Sequence, residues 1–238
     1  MTLSSQTFVK RAYRLLNAAY GDLRWWPART RFAVMVGAIL TQGTAWRNVE
    51  RALDRLHRAR VMTPARLVRL PRARLEALIR PAGFFRVKAR RLQAFLRMLQ
   101  DRYDGRVAQM FRTPTGRLRR DLLAIHGIGP ETADAILLYA GQRPLFVVDA
   151  YTRRILLRHG VIEPKASYDD IAALFARVLP RRARWFNAYH AWLVEVGKSH
   201  CRTTPICTDC PLGRLPLADG TIPDSYARHA MKREVIRG

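Results

Sequence analysis

Apolar side chains recur along this chain at intervals of three and four residues, the spacing that puts them on one face of a helix. Over 5–20, Phe8, Ala12, Leu15, Leu16 and Ala19 share a face, and after Gly43 so do Trp46, Val49, Ala52, Leu53 and Leu56. Both segments predict surface helices packed on a core. The same periodicity predicts helices over 30–40, 74–79, 87–103, 115–125 and 130–139, and later over 150–159, 168–178 and 184–199. Pro130 falls at a first helical position, where its missing N–H costs nothing. Ser167 with Asp170 forms an approximate capping box for the 168–178 helix. Runs alternating polar with apolar residues are scarce, so the predicted fold class is all-α.

Composition narrows the partners. A chain of 238 residues holds one large domain or two small ones with real cores, and 49% hydrophobic residues argue for a folded protein. Lysine and arginine number 43 against 18 acids, a formal charge of +25, so the positive field belongs to a globular surface. Such a field favours polyanions: nucleic acid first, an anionic membrane or acidic protein after it. Genome base composition also enriches arginine, which weakens the clue. The longest apolar stretch, 32–40, is far short of a membrane span. The N-terminal MTLSSQTFVKRAY has neither the apolar core nor the cleavage pattern of a signal peptide, so the expected compartment is the cytoplasm. All three cysteines, Cys201, Cys207 and Cys210, fall in one ten-residue window. Their odd number suits a metal site in a reducing compartment better than a disulfide framework. There is no internal repeat, low-complexity segment or long linker, and the tail from Pro211, rich in proline, glycine and base, is expected to be ordered only in part.

The stretch LLAIHGIGPETADAILLYAGQRPLFVVDAY, 122–151, carries the sharpest chemistry. Glycines at alternate positions between two helices expose backbone N–H groups next to a helix N-terminus, and without side chains Gly127 and Gly129 let a sugar-phosphate backbone come close. An ordinary helix-helix turn with a glycine cap has the same spacing. Downstream, Asp149 emerges from the apolar run FVV. A carboxylate there can orient or deprotonate a water and stabilise a developing cation, or it can simply N-cap the helix that begins at Ala150. Asp134, inside the second helix of the hairpin, reads as structural.

LLAIHGIGPETADAILLYA followed by FVVDAYTRRIL resembles the helix-hairpin-helix and downstream catalytic aspartate of the endonuclease III superfamily of DNA glycosylases. Hairpin, aspartate and cysteines follow the family's order, and the resemblance extends over most of the chain. It implies two helical domains: 25–142, ending in the hairpin, and 1–24 plus 143–238, with the cysteine loop. Double-stranded DNA carrying a damaged base would lie across a cleft between them, Gly127 and Gly129 on the backbone, Asp149 as the catalytic acid, and a monovalent cation at the hairpin. Bifunctional members carry a lysine two residues after the second glycine of the hairpin. Here that residue is Glu131, whose carboxylate cannot form a Schiff base, so the resemblance implies a monofunctional enzyme. Glu131 itself complements the helix dipole.

Excision takes the nucleotide out of the stack, which calls for an aromatic pocket and a wedge. RWWPARTRFAVMVGAILTQGTAWRNVE resembles segments of the bacterial 3-methyladenine DNA glycosylase III branch, and Trp25, Trp26 and Trp46 are then the pocket candidates. An indole face attracts a cationic alkylated purine over its neutral parent by ~0.5–2 kcal/mol. The same residues also suit core packing, Trp46 above all, although adjacent Trp25 and Trp26 cannot both point inward on a helix. Gln42 is one gap-filling candidate; Phe84, in PAGFFRVKARR, resembles the family's wedge, with Phe85 as its alternative. Arg86, Lys88, Arg90 and Arg91 are candidate phosphate contacts, or else a solvated helix face. One departure from the methyladenine branch bears on pocket chemistry: Ala150 stands where that branch has a lysine. Alkylated purines are the first substrate class, with oxidised pyrimidines and mismatched thymine beside them.

CRTTPICTDCPLGRLP, Cys-x5-Cys-x2-Cys, resembles the superfamily's iron–sulfur loop, whose fourth cysteine is expected near Pro216 and has no counterpart here. A [4Fe–4S] cluster on Cys201, Cys207 and Cys210 then needs a non-cysteine ligand, such as Asp219 or His200. Zinc on three cysteines and a histidine, or a loop that has lost its metal, are the other readings. The leading expectation is a monomeric, monofunctional glycosylase of base-excision repair. Its rivals are an endonuclease III-like glycosylase/lyase using another lysine and a non-catalytic binder of kinked or lesion-bearing DNA.

Overall fold

In the computed structural model, residues 3–23, 25–26 and 30–223 are described, and among them all regular structure is helical. Pro27 of the Trp-Trp-Pro segment and the tail beyond residue 223 lie outside the described residues. In chain order the helices are α1 (Ser5–Tyr20), α2 (Arg31–Leu40), α3 (Trp46–Arg58), α4 (Pro64–Val68), α5 (Arg72–Ile79), α6 (Phe85–Tyr103), α7 (Val107–Met110), α8 (Thr115–Leu123), α9 (Pro130–Ala135), α10 (Ala150–Arg158), α11 (Tyr168–Val178) and α12 (Ala183–Ser199). The short α4 and α7 were not legible in the periodicity, each being too brief to show a face. Helix α9 runs on into a wider π turn over Ile136–Ala140. Helix starts follow side-chain oxygens: Ser4, Thr30, Thr63, Asp149 and Ser167 each accept a backbone N–H of the first turn, and Ser167 with Asp170 closes a full capping box.

The chain divides into two compact units, one from Trp26 to Arg143 and one combining the residues up to Trp25 with those from Pro144 onward. In the first, α2 is the central element. Every residue from Phe32 to Leu40 is buried, so this helix is apolar all round and is covered by α3, α6, α9 and the π turn.

Lys88 of α6 reaches into this core, almost wholly buried, and its Nζ donates to the carbonyls of Leu40 at 2.8 Å and Ala82 at 2.6 Å. Leu40 is the last residue of α2, so the amine satisfies an acceptor that the helix end leaves open. This corrects the expectation that Lys88 touches phosphate: it is a helix-end strut. Burial, with help from the charge of Arg91, pulls its pKa down to about 8.

In the second unit α12 packs on α10 and α1. Tyr189 donates its hydroxyl to the Val9 carbonyl and the Trp192 indole donates to that of Gly21, both tying α12 to the N-terminal segment. A Cβ on Gly197 would lie 2.4 Å from the Tyr151 ring, so α10 and α12 approach closely only because that position has no side chain.

Candidate functional site

The turn between α8 and α9 is built from its glycines outward. Gly127 has φ +84°, a left-handed conformation, and a Cβ there would meet the Arg91 side chain at 2.3 Å. Ile128 is buried and pins the turn to the core. Gly129 has an ordinary φ of −90° and is exposed, and a Cβ would meet nothing within 4 Å. Gly127 is therefore required by the turn itself, whereas Gly129 keeps open space on its outer side. Pro130 opens α9, and Glu131 is exposed in its first turn.

Gln42 supports this turn from the segment after α2. Its Nε2 donates to the Gly127 carbonyl (3.0 Å) and to Thr132 Oγ1 (2.9 Å), while Arg91 donates to its Oε1 (2.5 Å). With both ends of its amide engaged, Gln42 braces the turn in this structure. Arg91 likewise serves the turn. Asp134 is structural, as its sequence context suggested: it is buried and held by Arg119 through two hydrogen bonds of 2.7 and 3.1 Å.

Phe84 is 72% exposed and sits in left-handed conformation at the start of α6. Phe85, its alternative, is half-buried, with the guanidinium groups of Arg80 and Arg86 5.0 and 5.8 Å from its ring centre. Arg86 and Arg90 are exposed on the same helix. Among the described residues this unit therefore presents an aromatic side chain to solvent at the head of a basic helix.

The three tryptophans divide between the units. Trp26 stacks on Tyr139 (centroids 4.8 Å apart, 21°) and leans against Trp46 at 5.0 Å; its Nε1 is buried without a hydrogen-bond partner among the described residues. Trp46 Nε1 donates to Glu50 at 2.8 Å. Trp25, in the other unit, meets His190 edge-on at 6.5 Å, and Lys198 Nζ stands 5.1 Å from its ring centre.

Asp149 caps α10. Its Oδ1 accepts the Thr152 backbone N–H at 2.7 Å, and its Oδ2 lies 3.7 Å from Nε2 of His190. Just upstream the Val148 N–H donates to the Tyr168 hydroxyl, which fixes the approach to the cap. The Asp149 side chain is 13% exposed; one oxygen accepts from the backbone and the other faces a buried imidazole beyond hydrogen-bond distance. Burial lowers the His190 pKa, the Lys198 charge lowers it further, and Asp149 opposes both, leaving a depressed value. His190 thus faces the carboxylate as neutral imidazole at neutral pH. Sequence reasoning missed it and Lys198, because both lie on α12, some forty residues or more beyond Asp149, where only the fold brings them near.

Cys201, Cys207 and Cys210 line one cavity of about 220 Å³ with Arg158, His159, His200 and apolar side chains including Ile155, Val196 and Leu212. Arg158 donates to Cys201 Sγ at 3.1 Å and to the carbonyls of Arg202 and Thr203. Arg154 holds the Cys201 carbonyl at 2.6 Å. Burial raises the thiol of Cys210 to about 11 and also raises that of Cys207, with each thiol felt by its neighbours. Among the described residues no three His, Cys, Asp or Glu side chains converge closely enough to hold a single metal ion, which speaks against the zinc reading. Asp219, offered as a ligand, is exposed and accepts from Thr221 instead.

Comparison with known proteins agrees with this layout. Residues 36–181, more than half the chain, match the HhH-GPD superfamily of base excision DNA repair proteins. A candidate DNA repair glycosylase of Methanocaldococcus jannaschii is 44% identical over 212 residues, covering 88% of this chain and 96% of its own. Endonuclease III trapped in a covalent intermediate with DNA superimposes with a TM-score of 0.78 at 25% identity, covering 92% of this chain and 98% of the other. The 3-methyladenine DNA glycosylase of H. pylori bound to 1,N6-ethenoadenine gives 0.69 at 25% identity, covering 82% and 98%. With the Gly-Ile-Gly turn, the capping aspartate and the all-helical architecture occurring together, the chain belongs to the HhH-GPD superfamily of base excision DNA repair proteins, as a DNA repair glycosylase.

Proposed function

We propose that the protein is a monofunctional DNA glycosylase that hydrolyses the N-glycosidic bond of a damaged base in duplex DNA, with alkylated purines as the favoured class. The observation that carries this reading is the Asp149 carboxylate, fixed by Thr152 through one oxygen and set beside a neutral, buried His190 through the other. A fixed, ionised carboxylate stabilises positive charge as it develops on the sugar and orients a water for attack at C1′. The base departs with the electrons of the glycosidic bond, water oxygen bonds to C1′, and its proton passes to the carboxylate. A cationic base leaves neutral, so no strong general acid is needed, and an indole face favours the cation over its parent. Trp25, in the same unit as Asp149, is the candidate for such a face, whereas Trp26 is already stacked on Tyr139. Exposed Phe84 fits the wedge that fills the emptied stack, and the open backbone at Gly129 fits a phosphate. DNA as the partner is supported by the net charge and by relatives captured on DNA.

The monofunctional part of the reading follows from Glu131, which cannot form a Schiff base at the hairpin. The test is a panel of duplexes carrying alkylated, oxidised, deaminated and mismatched bases, scored for base release and for strand scission before and after alkali. Release of an alkylated purine with scission only after alkali is expected; release confined to oxidised or mismatched pyrimidines would overturn the substrate class.

A second reading, a glycosylase with lyase activity, draws on Lys198, whose amine lies over Trp25 beside the Asp149–His190 pair. Borohydride trapping of an abasic duplex, lost in Lys198→Gln, would establish it.

The cysteine cavity fits an iron–sulfur cluster by the chemistry of its donors: three thiols, those of Cys201 and Cys210 buried, around one apolar-walled space, next to a cation that offsets their negative charge on ionisation. We propose that Cys201, Cys207 and Cys210 hold such a cluster, which would brace the C-terminal loop against α10 and α12.

A further inference from the structure

We propose that His159 is the fourth ligand of that cluster, giving a three-cysteine, one-histidine site. The inference rests on the cluster reading above and goes beyond it by naming the residue that replaces the missing thiol. A fourth cysteine would stand near Pro216, and the structure shows what stands against Pro216: the His159 ring, with Nδ1 2.8 Å from the Pro216 carbonyl. A carbonyl oxygen only accepts, so Nδ1 carries the proton and Nε2 keeps its lone pair. Histidines that bind metals are held in this way, one nitrogen donating to a backbone carbonyl and the other left for the metal.

Position supports the assignment. His159 lines the same cavity as the three cysteines. Its neighbour Arg158 donates to Cys201 Sγ, which seats this end of α10 on the thiols. The segment after Pro216 is locked to it as well: the Ala218 N–H donates to the Arg158 carbonyl at 2.9 Å, and a Cβ on Gly160 would come within 3.0 Å of the Ala218 Cα. Residues 158–160 and 216–218 therefore form one fixed corner, and the histidine occupies it.

The other candidates fit less well. Asp219 is turned to Thr221 and does not line the cavity. His200 lines it, but directly precedes Cys201 and so belongs to the corner that cysteine already fills. Its Nδ1 is buried without a hydrogen-bond partner among the described residues, so it lacks the carbonyl contact that fixes the His159 ring. An imidazole in place of a thiolate removes one negative charge from the ligand set, so the reduction potential should lie above that of an all-cysteine site.

The test is anaerobic reconstitution of the full chain with ferrous iron and sulfide, read by iron and sulfide content, redox titration and pulsed EPR of the reduced protein. The wild type should bind about four irons per chain and show the nitrogen hyperfine coupling of a bound imidazole. His159→Cys should keep the irons, lose that coupling and shift the potential downward, whereas His200→Phe should change none of these. His159→Phe should give the EPR signal of an oxidised three-iron cluster. Coupling that survives in His159→Cys and vanishes in His200→Phe would overturn the assignment, as would a four-iron cluster of unaltered potential in His159→Phe. Failure of the wild type to take up iron and sulfide would instead overturn the cluster reading itself.

Discussion

Asp149 and His190 face each other with carboxylate Oδ2 3.7 Å from imidazole Nε2, at the point where the apolar run ends and α10 begins. The geometry gives one carboxylate two duties. Through Oδ1 it caps a helix, and through Oδ2 it meets a buried ring whose own pKa is depressed. The cap is observed, and it is compatible with the catalytic role proposed for Asp149, because capping holds the acid still.

That depressed value has a consequence for stability. Because His190 is held below 6.5 in the fold, the unfolded chain binds the proton first as the medium acidifies. The contribution is complete above about pH 6.5 and is lost as pH falls from there toward the folded value. Melting temperature should therefore fall more steeply between about pH 7 and about pH 5 in the wild type than in His190→Gln. Parallel curves would show that His190 does not titrate in this way.

Lys88 makes a second, oppositely placed pH signature. Its folded pKa of about 8 lies below the ordinary 10.5, so between those values the unfolded chain holds more protons and stability rises with pH. Lys88→Met should lose about 1–3 kcal/mol by stranding the Leu40 and Ala82 carbonyls, and its deficit against the wild type should widen from pH 8 upward, as chemical denaturation would show. The salt dependence of DNA binding should be unchanged, since the amine is not at the surface.

The two hairpin glycines should separate folding from binding. Gly127→Ala meets both a left-handed φ and the Arg91 side chain, and should destabilise the fold by about 1–3 kcal/mol. Gly129→Ala meets open space at an ordinary φ, so melting should barely move. Affinity for a lesion duplex should nevertheless drop about tenfold, roughly 1.4 kcal/mol, as the methyl holds the phosphate away. Equal affinity by fluorescence anisotropy would remove the hairpin from the DNA interface.

Phe84→Ala should be nearly silent in stability, within about 0.5 kcal/mol, because the ring is mostly in solvent. It should weaken single-turnover excision while leaving the melting curve in place. If excision is unaffected, the exposed ring has another purpose.

Much of the fold was legible because its signal is local. Helices α1 and α11 begin and end where periodicity and caps place them, and Ser167 with Asp170 forms the capping box that their spacing announces. Local geometry was legible where neighbours in sequence fix it, as for the turn at Gly127 and the structural place of Asp134. It was not legible where the partner is distant. Lys88 reads as one more base in an arginine-rich run, and only the packing of α6 against the ends of α2 and the 80–82 turn turns it inward. Gln42 reads in the sequence as a gap-filling candidate after a helix, and its engagement by Gly127, Thr132 and Arg91 spans 49 to 90 residues. His159 and His190 are lone histidines in the sequence and acquire meaning only from Pro216 and Asp149.

The most direct test of the account is single-turnover release of an alkylated purine by Asp149→Asn. Asparagine caps a helix as well as aspartate does, so the variant should melt within about 1 kcal/mol of the wild type while keeping its DNA affinity. Removal of the negative charge should slow base release by a factor of about 10²–10⁴. A folded Asp149→Asn protein that releases the base at the wild-type rate would contradict the account at its centre.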